Sequence, residues 1–167
     1  LYYYPDNTEY SHPQIDGLEV KEVTIRTEDN ESLHVWSLPA RGVQQATVIQ
    51  FHGNAQNISS HYRILSWLPE EGVSLVTFDY RGYGKSTGSP FPEGLIKDGR
   101  AIINHVCKNT KGPVFVVGQS LGGAVAVPTL ATLTDHCICG LVIDSSFPSY
   151  RRVVREKLGI YWFTRYL

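Results

Sequence analysis

The sequence predicts an α/β domain, a mostly parallel sheet with helices on both faces, on three observations. From residue 46 onward, short β-branched apolar runs alternate with amphipathic segments, the rhythm of strand-helix-strand units. The most complete unit, residues 113–127, passes from the apolar run Val114 to Val117 through Gly118-Gln119-Ser120-Leu121-Gly122-Gly123 into a small-residue helix. Upstream, two runs alternate apolar and polar around an acidic turn, as an antiparallel hairpin does.

The elements follow in order. Residues 1–18 open with Tyr2, Tyr3, Tyr4, Pro5, Asp6 and Asn7, an aromatic, turn-rich entry without period, expected as an arm packed on the domain. Runs 20–26 and 33–38 pair as an edge hairpin around Glu28, Asp29, Asn30 and Glu31. Residues 46–51 are a buried strand that ends in His52-Gly53-Asn54. Ile64, Leu65 and Leu68 predict a helix over 59–68. Residues 73–78 are the next buried strand, followed by a glycine-punctuated loop from Asp79 to Ser86. An amphipathic helix is expected over 95–106, from Ile96, Ile102, Ile103 and Val106. The helix opening at Leu121 should reach about residue 133, kinked at Pro128. A short strand, 141–143, closes on Asp144.

At 167 residues, without repeat or linker, the chain reads as one domain able to bury roughly 68–70% of its unfolded surface. A net charge of -1 with 19% charged residues argues against a nucleic-acid partner or a disordered tail. Cys107, Cys137 and Cys139 lack C-x-x-C spacing and are expected as free, partly buried thiols, neither a disulfide framework nor a zinc site. No run approaches the roughly 20 apolar residues that span a bilayer. The sequence begins at Leu1 and contains no methionine, so the expectation is a natural N-terminus, with any anchor or signal, lying upstream.

The chemistry gathers where strands end, because ligands of open α/β sheets bind beyond the carboxyl ends of the strands. In Gly-x-Ser-x-Gly a tight turn leaves no room for a Cβ at its first and last positions and lifts the serine clear of the sheet. Ser120 is therefore the candidate nucleophile. The helix starting beside it aims free N–H groups at an oxyanion, so the Leu121 amide is one candidate donor and the Asn54 amide, from the loop after residues 46–51, the second. A Gly-Asn turn without catalytic role stays open as the alternative for 53–54. Arg81 and Asp79 are expected as a buried pair fixing their loop, with substrate binding as the alternative.

HGN at 52–54, DYRGYGKSTG at 79–88 and GQSLGG at 118–123, in this order, resemble the α/β-hydrolase superfamily. YYYPDN, HGNAQN and LVIDSSF resemble its small, frequently membrane-tethered serine hydrolases of the Bem-like and depalmitoylase-like branch. The resemblance implies an α/β-hydrolase fold, and a serine hydrolase that forms an acyl-enzyme on Ser120, with the Asn54 and Leu121 amides as oxyanion donors and no cofactor or metal. It further implies a small-molecule acyl substrate (carboxylic ester, thioester or amide, lipids and acylated proteins included) and membrane association through an upstream anchor. The alternative function is a non-catalytic α/β-hydrolase-like binding or scaffold protein.

The superfamily orders its triad as serine, acid, histidine. Of His12, His34, His52, His61, His105 and His136, only His136 follows Ser120, and a helix between them would set it about 18 Å away. His136 is therefore expected on the surface. Asp144, closing a strand beside the central one, is a candidate acid; otherwise its carboxylate anchors Ser145 or Ser146. The expectation is a single incomplete domain that ends before the last strands and the triad histidine and is inactive by itself. Residues 148–167, basic and then aromatic around Tyr161, Trp162 and Phe163, are expected to begin a lid that lines an acyl pocket, or to pack beside the core.

Overall fold

The computed structural model describes residues 3–147. The expected lid and Trp162 lie outside these residues. Strands β1 (Tyr4–Pro5), β2 (Lys21–Arg26), β3 (Ser32–Leu38), β4 (Ala46–Phe51) and β5 (Ala55–Gln56) precede the short helix α1 (Ile58–His61). Then come β6 (Val73–Phe78), α2 (Pro92–Asn109), β7 (Val114–Gln119), α3 (Leu121–Ala131) and β8 (Ile138–Asp144). Six strands form one sheet in the order β2-β3-β6-β4-β7-β8; β2 and β3 are antiparallel and the last four parallel. The expected edge hairpin and the parallel sheet are both present. The strand-helix connections force that parallelism, because a crossover helix returns the chain to the starting edge.

Period-two alternation sends side chains to two buried faces. Val35, Ile49, Phe51, Val76 and Phe78 pack with Ile102, Ile103 and Val106 of α2 and Val125 of α3. On the other face, Trp36, Leu38, Val48 and Leu75 meet Ile58, Tyr62 and Leu68. That second layer departs from expectation. Instead of a helix over 59–68 there is one turn of α-helix, capped by the Asn57 side chain on Ser59 N, and then 3-10 turns at Tyr62–Ile64 and Leu68–Glu71. Of the positions taken as a helical stripe, Leu68 is buried, Leu65 partly buried and Ile64 exposed, and the other anchors are Ile58 and Tyr62. Helix α2 starts three residues earlier than expected, with Pro92 in its first turn where a missing N–H costs nothing. Strand β8 is seven residues long rather than three.

Residues 3–8 lie along the loops at the carboxyl edge of the sheet, and the segment after them crosses the α1 face to the other edge, with Ser11 Oγ against Tyr62 OH and Gly17 O accepting from Arg41 Nη2. β1 pairs in parallel with β5, Asn57 Nδ2 donates to the Asp6 and Thr8 carbonyls at 2.9 and 2.8 Å, and Gly84 N donates to Asp6 O at 3.0 Å.

Two further expectations are corrected. Asp79 and Arg81 do not pair. The chain turns sharply after β6, with Tyr83 N on Tyr80 O and Gly82 N on Thr87 O, and sends the two side chains to opposite faces. Arg81, 2% exposed, donates Nε and Nη2 to Asp98 Oδ1 of α2 at 2.9 and 2.7 Å, and Nη1 and Nη2 to Asp29 of the hairpin turn at 2.9 and 3.0 Å. Burial pulls the guanidinium pKa down, but the two carboxylates outweigh it and hold the group charged. The cysteines are not all free: Cys107 of α2 and Cys137, just before β8, form a disulfide with Cα atoms 5.4 Å apart, and Cys139 alone is an exposed thiol. Spacing misled because two cysteines 30 residues apart become neighbours only once α2 and β8 dock. Chain-entropy reasoning for a closed loop of this length gives about 3.5 kcal/mol of stabilisation. The Cys107→Ala/Cys137→Ala double variant should unfold at lower temperature than the parent and lose the parent's sensitivity to reductant; equal melting would remove any stabilising role for the bridge.

Candidate active site

Strand β7 lies between β4 and β8, and Ser120 sits at the one-residue junction between β7 and α3. Its backbone has φ 51° and ψ -112°, left-handed territory that a side-chain-bearing residue adopts only under constraint. The constraint comes from its neighbours. A Cβ on Gly118 would lie 2.8 Å from Gly122 O, one on Gly123 2.5 Å from the Ser146 side chain, and one on Gly122 would overlap the Phe51 carbonyl. The first turn of α3 is thus pressed onto the ends of β4 and β7 more closely than any side chain permits. Ser120 N donates to Asp144 O at 2.9 Å, while its carbonyl accepts from Ser146 Oγ at 2.7 Å and Gly123 N at 3.2 Å. The residue is half-buried, and among the described residues nothing hydrogen-bonds to its hydroxyl. Helix α3 presents its positive N-terminal end beside that hydroxyl, with Leu121 as its first residue.

The second loop is the exit of β4. Phe51 is in register with Gly118, and a Cβ on Gly53 would stand 3.8 Å from Gln119 Oε1, so residues 52–54 run beside the residue that precedes Ser120. Hydrogen bonds from Tyr80, Tyr83 and Tyr4 hold this loop. Tyr80 OH donates to His52 O at 3.1 Å, Tyr83 OH donates to Asn54 Oδ1 at 2.8 Å, and Tyr4 N donates to the same oxygen at 3.2 Å. The Asn54 Oδ1 is thereby occupied as an acceptor, which fixes the residue in its loop.

Beneath the loop lies a polar row. Asp79, 1% exposed, accepts from Ile58 N at 2.9 Å through Oδ1 and contacts His34 Nδ1 at 3.1 Å through Oδ2. The other His34 nitrogen meets Glu22 at 2.9 Å. Burial pulls the His34 pKa down, but hydrogen bonds to Asp79 and Glu22 outweigh it and the net shift is upward. The same His34 contact is the main cause holding the Glu22 carboxyl down at about 2. With His34 held between the two carboxylates, Asp79 fixes the start of α1 through Ile58 N.

His52 is different. It is fully buried, its Nδ1 donates to Gly53 O at 2.7 Å, and Nε2 has no partner among the described residues. Desolvation, reinforced by His61, lowers its pKa to about 4.

Asp144 ends β8 opposite Gln119, as the sequence suggests, but its carboxylate accepts from Ser145 Oγ at 2.8 Å and is exposed. His136 is exposed in the turn between α3 and β8, where its Nδ1 accepts from Ile138 N at 3.2 Å. The roles of Tyr80, Tyr83, Asp79 and Gln119 were not legible as site support, although DYRGYG marked the segment: only the fold shows that this loop faces the β4 exit. Among the described residues no group of three His, Cys, Asp or Glu side chains is arranged to hold a metal.

A serine at a strand-to-helix turn on a central parallel strand, flanked by a glycine-bearing loop from the next strand, is the arrangement of an α/β hydrolase. The family described as Serine aminopeptidase, S33 matches residues 42–163, a span that takes in all three motifs, and the chain belongs to it. YfhR of Salmonella typhi is 36% identical over 94% of this chain and 58% of its own length. Bem46 of Schizosaccharomyces pombe is 30% identical over 85% of this chain and 49% of its own, and the lysophosphatidylserine lipase ABHD12 of Gallus gallus 30% over 73% and 33%. A Pyrococcus furiosus esterase superposes with a TM-score of 0.77 at 29% identity, covering 95% of this chain and 60% of that one. The chain thus spans about half the length of the curated relatives it matches. Among the described residues no helix is long and apolar enough to cross a membrane.

The depressed pKa makes His52 a folded-state proton excluder. The unfolded chain binds a proton near the ordinary 6.5 whereas the folded one resists until about 4. Its contribution to stability is therefore complete above 6.5 and lost as pH falls to about 4, roughly 3 kcal/mol by linkage. His34 acts oppositely, stabilising below its ordinary value and losing that effect as pH rises through its raised one. An NMR titration should find the His52 imidazole neutral down to about pH 4; a midpoint near 6.5 would contradict its burial.

Proposed function

We propose that this α/β hydrolase cleaves a carboxylic ester or thioester, amides being the harder extension, through an acyl-enzyme on Ser120. The observation that carries the reading is the positive-φ turn that sets the Ser120 hydroxyl at the first turn of α3 beside the β4 exit loop. In the first half-reaction Oγ attacks the carbonyl carbon, its proton passes to a base, and the negative charge that develops on the carbonyl oxygen is met by the Leu121 and Asn54 amides. The tetrahedral adduct collapses by expelling the alcohol or thiol, which takes that proton. Water then enters by the reverse sequence and releases the acid, leaving Ser120 protonated.

Loss of one such amide donor costs roughly a hundred- to a thousandfold in turnover, so the two loops carry much of the rate. The esterase and lipase names among the similar proteins support an acyl substrate, and the lipase favours one with a lipid acyl chain. The base is a group outside the hydrogen bonds of the described residues, and the 167-residue chain alone is expected to turn over slowly. Asp144 is a secondary candidate for the acid, since its strand ends beside Ser120. Association with a membrane through a segment upstream of Leu1 is part of the same proposal.

The test is covalent labelling of the intact protein by a fluorophosphonate probe, with Ser120→Ala alongside. Labelling should disappear in the variant while its melting temperature stays close to the parent's. Labelling retained in the variant would dismiss Ser120, and no labelling of either protein would favour the non-catalytic binding role.

A further inference from the structure

A net charge of -1 conceals a segregation of charge. One cleft of about 460 Å³ lies between β2 and α2, and a second of about 510 Å³ lies below the C-terminal end of α2; Asn109 lines both, so the two adjoin there. Arg26, Lys97, Arg100 and Lys108 line the first and Lys21 and Lys111 the second. These are six of the ten lysines and arginines between residues 3 and 147, whereas of the fifteen acidic residues in the same span only Glu28 lines either cleft.

Lys97 and Arg100 are already engaged, by Asp29 and Glu28. Lys21, Arg26, Lys108 and Lys111 have no ion-pair partner among the described residues and are exposed. Four unneutralised cations along one groove repel one another, and among the described residues a domain with a surplus of acids nevertheless leaves them without an ion pair. We propose that this groove is a binding site for phosphate groups, remote from the Ser120 site. Phosphate fits better than carboxylate because it concentrates close to two negative charges on one small group, and its oxygens can be reached from both walls at once. Arg26 on the strand wall offers a forked donor of the kind that grips such oxyanions, and Lys21, Lys108 and Lys111 add point charges.

The groove is also long. From Lys97 to Lys108 the helix wall rises about 16 Å, and from Lys21 to Arg26 the strand wall covers a similar distance. It therefore suits a ligand carrying several phosphates, either one soluble molecule or an array of lipid headgroups. Its lower part, beside Ser74, Thr47 and Lys111, lies at the starting ends of β6, β4 and β7, a full strand length of about 20 Å from Ser120. Occupancy of the groove and chemistry at Ser120 are consequently separable, and the proposal does not depend on the hydrolase reading.

Binding of the full chain is measured with two probes at low salt: inositol hexakisphosphate, and vesicles of equimolar phosphatidylcholine and phosphatidic acid. The Arg26→Ala/Lys108→Ala variant removes one unpaired cation from each wall without breaking any ion pair, and Arg41→Ala, whose partner is Glu70 outside the groove, is the control. At least one probe should bind the parent, weaken on raising salt, and lose roughly tenfold or more in affinity in the double variant while the control changes little. Binding of the soluble probe alone identifies free phosphates as the source, and binding of the vesicles alone identifies lipid headgroups. Failure of both probes to bind the parent, or equal binding by the parent and a folded double variant, would overturn the site.

Discussion

The structure turns on the contact between the first turn of α3 and the end of β4. With Gly122 set against the Phe51 carbonyl and Gly118 and Gly123 closing the gaps on either side, the helix axis is brought onto the sheet within the thickness of bare backbone. The chain can pass from β7 to α3 within a single residue only if that residue takes a positive φ, and Ser120 is the residue. The strain is local and costs of order 1–3 kcal/mol. It is sustained by the packing of Val114, Val116, Leu121 and Val125, all buried, on both sides of the turn. Because both walls of the site, β4 and β7, are adjacent parallel strands in fixed register, the same contact also sets where the Asn54 loop stands relative to Ser120.

Around this contact the protein distributes its polar groups by face. On the α2 face, Arg81 ties the loop after β6 to α2 and to the hairpin turn through two carboxylates. On the opposite face, Asp79 ties the same loop to β3 through His34 and to α1 through Ile58 N. One loop is thereby fixed from both sides of the sheet, and it uses that rigidity to hold the β4 exit through the hydroxyls of Tyr80 and Tyr83. Among the described residues the buried Arg81, Asp79 and Asp98 are all hydrogen-bonded, as the low-dielectric interior requires, although at Asp98 burial outweighs Arg81 and the net pKa shift is upward. The buried His52 solves the same problem differently, by staying neutral.

Much of this was legible before folding, because it depends on near neighbours in sequence. The hairpin, the parallel strands and the serine turn each announce themselves by period or by glycine spacing, and all three lie where they were expected. The class of protein followed from three short motifs whose order the fold explains: each leaves the carboxyl end of a strand. What escaped prediction depends on partners far away in the chain. Arg81 chose Asp29 and Asp98 over the nearer Asp79 because the turn between them sends the two side chains to different layers. Cys107 met Cys137 only because α2 and β8 dock. The segment after Asn57 carries apolar residues at helical spacing, yet Pro69, the left-handed Gly72 and the need to bury Ile58, Tyr62 and Leu68 divide it into short turns. The basic groove was invisible for a related reason: its cations come from three separate stretches, and a net charge sums over them.

In the proposed reaction two backbone amides, one at the start of α3 and one in the β4 exit loop, meet negative charge beside the Ser120 hydroxyl. This is tested most directly by a crystal structure of the intact protein after reaction with a small trifluoromethyl ketone, which forms a tetrahedral adduct on an activated serine. The account predicts a covalent bond from Ser120 Oγ and an adduct oxygen within about 3.1 Å of both Leu121 N and Asn54 N. An adduct on another residue, or an oxygen turned away from both amides, would contradict it.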